Sequence, residues 1–180
     1  MKDKLKLLGV IIRSDLKWTS NTEEMVKKGY KRLWALRRLK GMGASLENLK
    51  DIFVKQVRSV LELAVPAWNA ALTEIDKKNI ERVQKTALRI MLGLEYTDYR
   101  SALDHVGLES LELRRQRLSL KFAKKCAAHP KHKEWFRVNF KTVNTRQGKP
   151  KYCPVYSNHT RFDKSPISYL TNLLNEDAKK

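Results

Sequence analysis

Cys126, His129 and His132 fall in a C-x2-H-x2-H pattern, with Cys153 and His159 further along the chain. Thiolate and imidazole are the ligands that Zn²⁺ takes in tetrahedral fours. Cys126, His129, His132 and Cys153 are therefore the set with metal-binding chemistry. The spacing matches no compact zinc knuckle, and a free cysteine on a helix face more often serves as a small core residue, so the primary reading holds no metal and no cofactor. Nucleophilic catalysis has less to stand on. No G-x-S-x-G elbow is present, and two distant cysteines with four histidines form no readable triad. Gly41-Met42-Gly43 is a lone G-x-G after a helical pattern, where a phosphate-binding fingerprint needs a strand before it and a helix after. His105, two residues before Gly107 at a helix end, reads as a C-terminal cation or a surface histidine. Adjacent acids occur only as Glu23-Glu24 and Glu176-Asp177, and there is no Asp-Asp pair.

Cations are the abundant chemistry. The 180 residues hold 38 Lys and Arg against 19 Asp and Glu, a formal charge of +19 with a sequence pI near 10.1. Such a balance points to a polyanionic partner, most economically nucleic acid. The charge is uneven: residues 1–45 carry 12 bases and 4 acids, residues 46–110 carry 9 and 10, and residues 111–180 carry 17 and 5. A near-neutral middle between basic ends reads as a packed scaffold presenting cations. Two segments concentrate them beside apolar stripes. Lys27, Lys28, Lys31, Arg32 and Arg38 form one set; Arg114, Arg115, Arg117 and Lys121 form the other. Cations so placed neutralise phosphates without reading sequence. Trp18, Trp34 and Trp68 are read as core or interface residues, while Trp135, Phe140 and Tyr152, set among bases, are the stacking candidates.

These side chains need elements to hold them. At ~100–200 residues per domain the length allows one domain with a tail, and 42% hydrophobic residues are enough for a core. Leu5–Ile12 reads as a buried strand or hairpin arm. Ser20-Asn21-Thr22-Glu23 has capping-box spacing and predicts a helix to about Lys40 with Val26, Tyr30, Leu33 and Leu36 or Arg37 on one face. Ser45 caps a second helix with Leu49, Ile52, Phe53, Val57, Val60, Leu61 and Ala64 as its stripe, ended or kinked by Pro66. Thr73 starts a third, ending at Gly93, with Ile80, Val83, Ala87, Leu88 and Met91 inward. Thr97 or Asp98 opens a fourth, closed by Gly107. Ser110 opens a fifth, running to about Ala128 with Leu111, Leu118 and Phe122 inward. From Pro130 the chain turns irregular and basic, until Ser165-Pro166 starts a last short helix. The fold class is mostly α: a bundle of four to five helices behind a short β-hairpin, with a loosely held basic tail. No apolar run reaches the ~18 residues of a membrane span, and no signal-peptide cleavage site follows the N-terminus, so an intracellular place, cytoplasm or nucleus, is expected.

Several of these segments together resemble one family. Leu7-Leu8-Gly9-Val10-Ile11-Ile12 with Asp15-Leu16-Lys17-Trp18 is similar to the strand and turn that close the palm of jockey-like non-LTR (LINE-type) retrotransposon reverse transcriptases. Lys31-Arg32-Leu33-Trp34 to Leu36-Arg37-Arg38-Leu39 resembles the first thumb helix of that family. Arg58-Ser59-Val60-Leu61-Glu62-Leu63-Ala64-Val65-Pro66-Ala67-Trp68 resembles its next signature, with Leu63 for an aromatic and Ala67 for a valine. Ile80-Glu81-Arg82-Val83-Gln84-Lys85, Leu108-Glu109-Ser110-Leu111-Glu112-Leu113-Arg114-Arg115 and Ser165-Pro166-Ile167 continue the likeness in order. The resemblance implies a palm-end remnant at 1–19, a helical thumb at 20–129 and a C-terminal extension at 130–180. It implies binding of RNA–DNA hybrid or RNA duplex, with a palm-bearing reverse transcriptase as a candidate partner in trans. Polymerisation needs carboxylates holding two divalent ions about 4 Å apart; the resemblance begins beyond the segment that carries them, so Mg²⁺ belongs to the missing palm and this chain alone is not an enzyme. The alternatives are a domesticated stand-alone binding module, which a Met1 start just before the strand favours, and a relic without function.

Overall fold

The computed structural model describes residues 3–139, 150–154 and 160–178. They are mostly helical, with an antiparallel two-stranded hairpin in front. The expected mostly helical class behind a short β-hairpin is what is observed. The elements are β1 (Lys4–Leu7), β2 (Val10–Arg13), α1 (Thr19–Gly41), α2 (Leu46–Ile52), a π-helical stretch (Phe53–Arg58), α3 (Ser59–Leu61), α4 (Val65–Trp68), α5 (Glu74–Leu92), α6 (Tyr99–Val106), α7 (Leu111–Ala128), α8 (Thr160–Asp163) and α9 (Pro166–Asp177). Contacts divide the chain into two compact units, one of Met1–Ala64 with Leu72–Arg114, the other of Val65–Ala71 with Arg115–Lys180. This differs from a division at 19/20 and 129/130: the hairpin belongs with the first helices, and the unit boundary lies inside α7.

In the first unit the hairpin pairs Lys4 with Arg13 and Leu7 with Val10. Its two-residue turn, Leu8-Gly9, has both residues at positive φ, 47° and 87°, the primed geometry that matches strand twist. Leu5–Ile12 is thus most of a hairpin rather than a buried strand, and β1 is exposed along its length. The outer edge of β2 is tied down where the Ile11 N–H donates to Asn21 Oδ1 at 3.0 Å. That bond removes Asn21 from any capping role. α1 starts at Thr19 with no side-chain cap, so the Ser20–Glu23 capping box does not form.

The buried face of α1 is Asn21, Thr22, Met25, Gly29, Leu33 and Leu36. Val26 is only half-buried and Tyr30 is exposed, so the inward face is turned from the expected one. Gly29 sets this phase. A Cβ there would stand 3.1 Å from Val83 Cγ1 on α5 and 3.3 Å from Leu61 Cδ2 on α3. α5 behaves as its periodicity predicts. Ile80, Val83, Ala87, Leu88 and Met91 are all buried, a Thr73–Asp76 capping box opens the helix, and Gly93 closes it at φ 59°. Ser45 and Asp98 cap α2 and α6 with side-chain oxygens, and Gly107 stops α6 in the left-handed region. The stripe 49–61 is buried at Leu49, Phe53, Val57 and Leu61; the π-helical register at 53–58 leaves Ile52 and Val60 half-buried. Ala64, exposed at φ 54°, breaks the chain before Pro66.

The second unit corrects the expectation of a loose tail. Ala123 and Cys126 of α7, Phe136, and Leu170 and Leu174 of α9 form a buried cluster. Ser165 caps α9 as expected, accepting from the Ser168 N–H. Asn175 holds an incoming strand-like segment, accepting from the Tyr152 N–H at 2.8 Å and donating to the Tyr152 carbonyl at 3.0 Å. Among the described residues no helix is long and apolar enough to cross a membrane.

The close approach at Gly29 makes a direct prediction. Gly29→Leu overpacks the α1–α5 contact and costs about 1–3 kcal/mol. Gly41→Ala, where an added Cβ meets nothing within 4 Å, leaves stability level or slightly raised. Urea denaturation of the two variants distinguishes these outcomes.

Candidate nucleic-acid interface

Because Met25, Gly29, Leu33 and Leu36 point inward, the opposite face of α1 is fixed by the same 3.6-residue period. Lys27, Lys31, Trp34 and Arg38 lie on it in one line, at steps of four, three and four, and all are exposed. At 1.5 Å per residue this line is roughly 16 Å long, enough to meet several phosphates of a backbone. Trp34 is 64% exposed, with the Arg38 guanidinium 5.9 Å from its ring centroid, within cation–π range. Of the two readings of Trp34, core or interface, its exposure removes the first; Trp68 is the fully buried tryptophan and Trp18 is half-buried. A large aromatic on an amphipathic helix usually faces the core, and here the phase at Gly29 turns Trp34 outward.

The other α1 cations differ in availability. Lys28 is half-buried and pairs with Glu24 one turn earlier at 3.4 Å. Arg32 is exposed but donates to the Gln56 carbonyl, which holds it against the π-helical stretch. Arg37 and Lys40 extend the exposed basic surface toward the end of the helix.

The α7 set separates by helical phase. The buried line of α7 runs Leu111, Arg115, Ser119, Ala123 and Cys126, while Leu118 is half-buried and Phe122 is 40% exposed. Arg115 is only 2% exposed, and its Nε donates to Asn69 Oδ1 at 3.0 Å, within the second unit. Asn69 in turn donates to the Tyr169 hydroxyl at 3.0 Å. Arg115 is thus a structural residue and is not presented to a ligand. Arg114 is half-buried in the first unit. It makes a two-pronged bond to Glu62, from Nε at 2.9 Å and Nη2 at 3.3 Å, with Glu109 3.6 Å away. The Glu62 carboxylate and nearby Glu109 favour its charged form, but that charge is already spent inside the fold. Arg117 and Lys121 are exposed one turn apart, and Lys125 continues their line. Lys124 is held by Asp177 at 2.7 Å.

The start of α7 is fixed by a polar cluster in the first unit. Glu81 accepts from the Leu111 N–H at 3.0 Å and from the Tyr99 hydroxyl. Gln84, fully buried, donates to Tyr99 and to the Glu109 carbonyl. Burial, with the bond to Glu81 second, pushes the Tyr99 hydroxyl well above the usual phenol range, so it remains a donor.

The residues of the zinc alternative do not converge. Cys126 sits in the apolar cluster, and burial raises its thiol pKa. Cys153 lies near the Val138 carbonyl. His129 and His132 stack face to face instead of aiming lone pairs at one point. Among the described residues no group of three or more His, Cys, Asp or Glu could hold a metal ion. His159 and Phe140 lie outside the described residues. Tyr152 is half-buried, edge-on to Phe136, and Trp135 is 44% exposed.

Phase along α7 predicts a sharp contrast between neighbouring cations. Arg115→Ala removes a buried side chain and leaves Asn69 without its donor, costing about 2–4 kcal/mol. Lys121→Ala on the exposed face stays within about 0.5 kcal/mol of the parent. Thermal melts of the two variants read the difference.

No protein-family model, no curated protein and no solved structure matches this chain.

Proposed function

We propose that this chain is the thumb and C-terminal region of a jockey-like non-LTR reverse transcriptase, and that it binds RNA–DNA hybrid or RNA duplex without sequence preference. The observation that carries the binding proposal is the outer face of α1. Lys27, Lys31 and Arg38 stand exposed in one line with the exposed Trp34 among them. A row of long cations suits a phosphate backbone, and it positions a duplex without touching base edges. Arg117 and Lys121 on α7 supply a second basic surface. Arg114 and Arg115 leave the binding set, because one is committed to Glu62 and the other is buried. The family assignment rests on the order of the sequence motifs from Leu7 to Ile167. With no Asp-Asp pair in the 180 residues, polymerisation belongs to a palm, and the part this chain plays is to grip.

The experiment is binding to a recessed RNA–DNA hybrid over a salt series, comparing the parent with Lys27→Glu/Lys31→Glu/Arg38→Glu. Counterion release predicts that log affinity falls steeply with log salt, and that losing three phosphate contacts makes the slope shallower by roughly 2–3. All three positions are exposed, so the fold is retained. A slope identical in parent and variant, or no salt dependence, removes α1 as the duplex surface.

A further inference from the structure

Three rings form a ladder in the second unit. The His129 and His132 rings stack with centroids 4.9 Å apart and planes 28° apart, and His132 lies 4.6 Å from the Trp135 ring at 41°. His129 and Trp135 are exposed and His132 is half-buried. A run of tight turns produces the spacing. The His132 and Lys133 N–H groups both donate to the His129 carbonyl, at 3.0 and 2.9 Å. The Trp135 N–H donates to the His132 carbonyl at 3.0 Å, and the Phe136 N–H to the Lys133 carbonyl at 3.1 Å. Phe136, 2% exposed, anchors the base of the ladder in the cluster of Ala123, Cys126, Leu170 and Leu174. The rings are therefore ordered before any ligand arrives, which lowers the entropy cost of binding.

The chemistry of the ladder is that of faces. The Lys131 N–H donates to His129 Nδ1 at 3.2 Å, so in the neutral ring the proton sits on Nε2. Stacked imidazoles with one nitrogen already engaged are poorly placed to share a metal, but they extend naturally to another flat ring. Lys131, Lys133 and Arg137 are exposed around them, with Glu134 the one acid between 129 and 139. Flat rings flanked by cations match a strand whose bases are free and whose backbone is anionic, because every base has a face to stack and a phosphate to neutralise.

We propose that His129, His132 and Trp135 form a stacking platform for unpaired bases of single-stranded nucleic acid, with Lys131, Lys133 and Arg137 taking its phosphates. A duplex keeps its bases stacked inside and cannot use this surface. The platform is thus separate from the α1 duplex surface and stands or falls without it.

The test uses the full chain and a short single-stranded oligouridylate carrying a central 2-aminopurine, whose fluorescence is quenched when it stacks. The parent quenches it. Trp135→Ala abolishes the quench and weakens binding about ten-fold, His132→Ala acts in the same direction, and Trp135→Tyr restores both. Lys133→Ala weakens binding but leaves the quench at saturation. The α1 triple variant keeps the quench, so loss of duplex binding and loss of the platform are read separately. The platform is overturned if Trp135→Ala and His132→Ala quench like the parent with unchanged helical circular dichroism. It is equally overturned if the α1 variant abolishes the quench.

Discussion

The contact between α1 and α5 at Gly29 decides which side chains this protein shows to solvent. With no side chain at Gly29, Val83 and Leu61 come close enough that a Cβ would stand only 3.1–3.3 Å from them. Once that contact is made, helical geometry leaves no freedom. Met25, Leu33 and Leu36 must be core, and Lys27, Lys31, Trp34 and Arg38 must be outside. The proposed duplex surface is therefore a consequence of packing. A bulkier residue at position 29 would disturb the surface by turning or lifting α1, although position 29 itself touches no ligand.

The same dependence of role on phase explains the adjacent arginines of α7. Arg114 and Arg115 lie about 100° apart around the helix axis. One reaches Glu62 and Glu109 in the first unit, while the other enters the interior of the second and bonds Asn69. Arg117 and Lys121, on the remaining face, are exposed. Of four cations within eight residues, Arg114 and Arg115 are tied into the fold, and exposure alone does not make a charge available. Net charge alone overstates what a basic protein can offer to a phosphate backbone.

Much of the architecture was legible in the sequence where local chemistry decides it. Ser45, Thr73, Asp98 and Ser165 cap helices, and Gly93 and Gly107 end them, because these residue types satisfy backbone groups or adopt positive φ within a single turn. α5 was legible in phase as well, since its apolar residues all lie on one face. α1 and α7 were not. Each buries polar residues, Asn21 and Thr22 in one and Arg115 and Ser119 in the other, and each exposes large apolar ones, Trp34 or Leu113. Periodicity sees hydrophobicity, while the phase of these helices is set by a tertiary contact at glycine and by hydrogen bonds to distant residues. The tail misled for a related reason. Its basic composition reads as solvent-exposed chain, yet Phe136, Leu170 and Leu174 close over Ala123 and Cys126. The His129–His132–Trp135 ladder was hidden behind a metal-like spacing whose imidazoles turn out to stack.

Contact between the outer face of α1 and nucleic acid is read by photo-crosslinking the full chain to a recessed RNA–DNA hybrid, with peptides located by mass spectrometry. Adducts are expected to concentrate in the segment from Lys27 to Arg38, with Trp34 foremost as the exposed aromatic. Adducts confined to other segments, with none between Lys27 and Arg38, would contradict it.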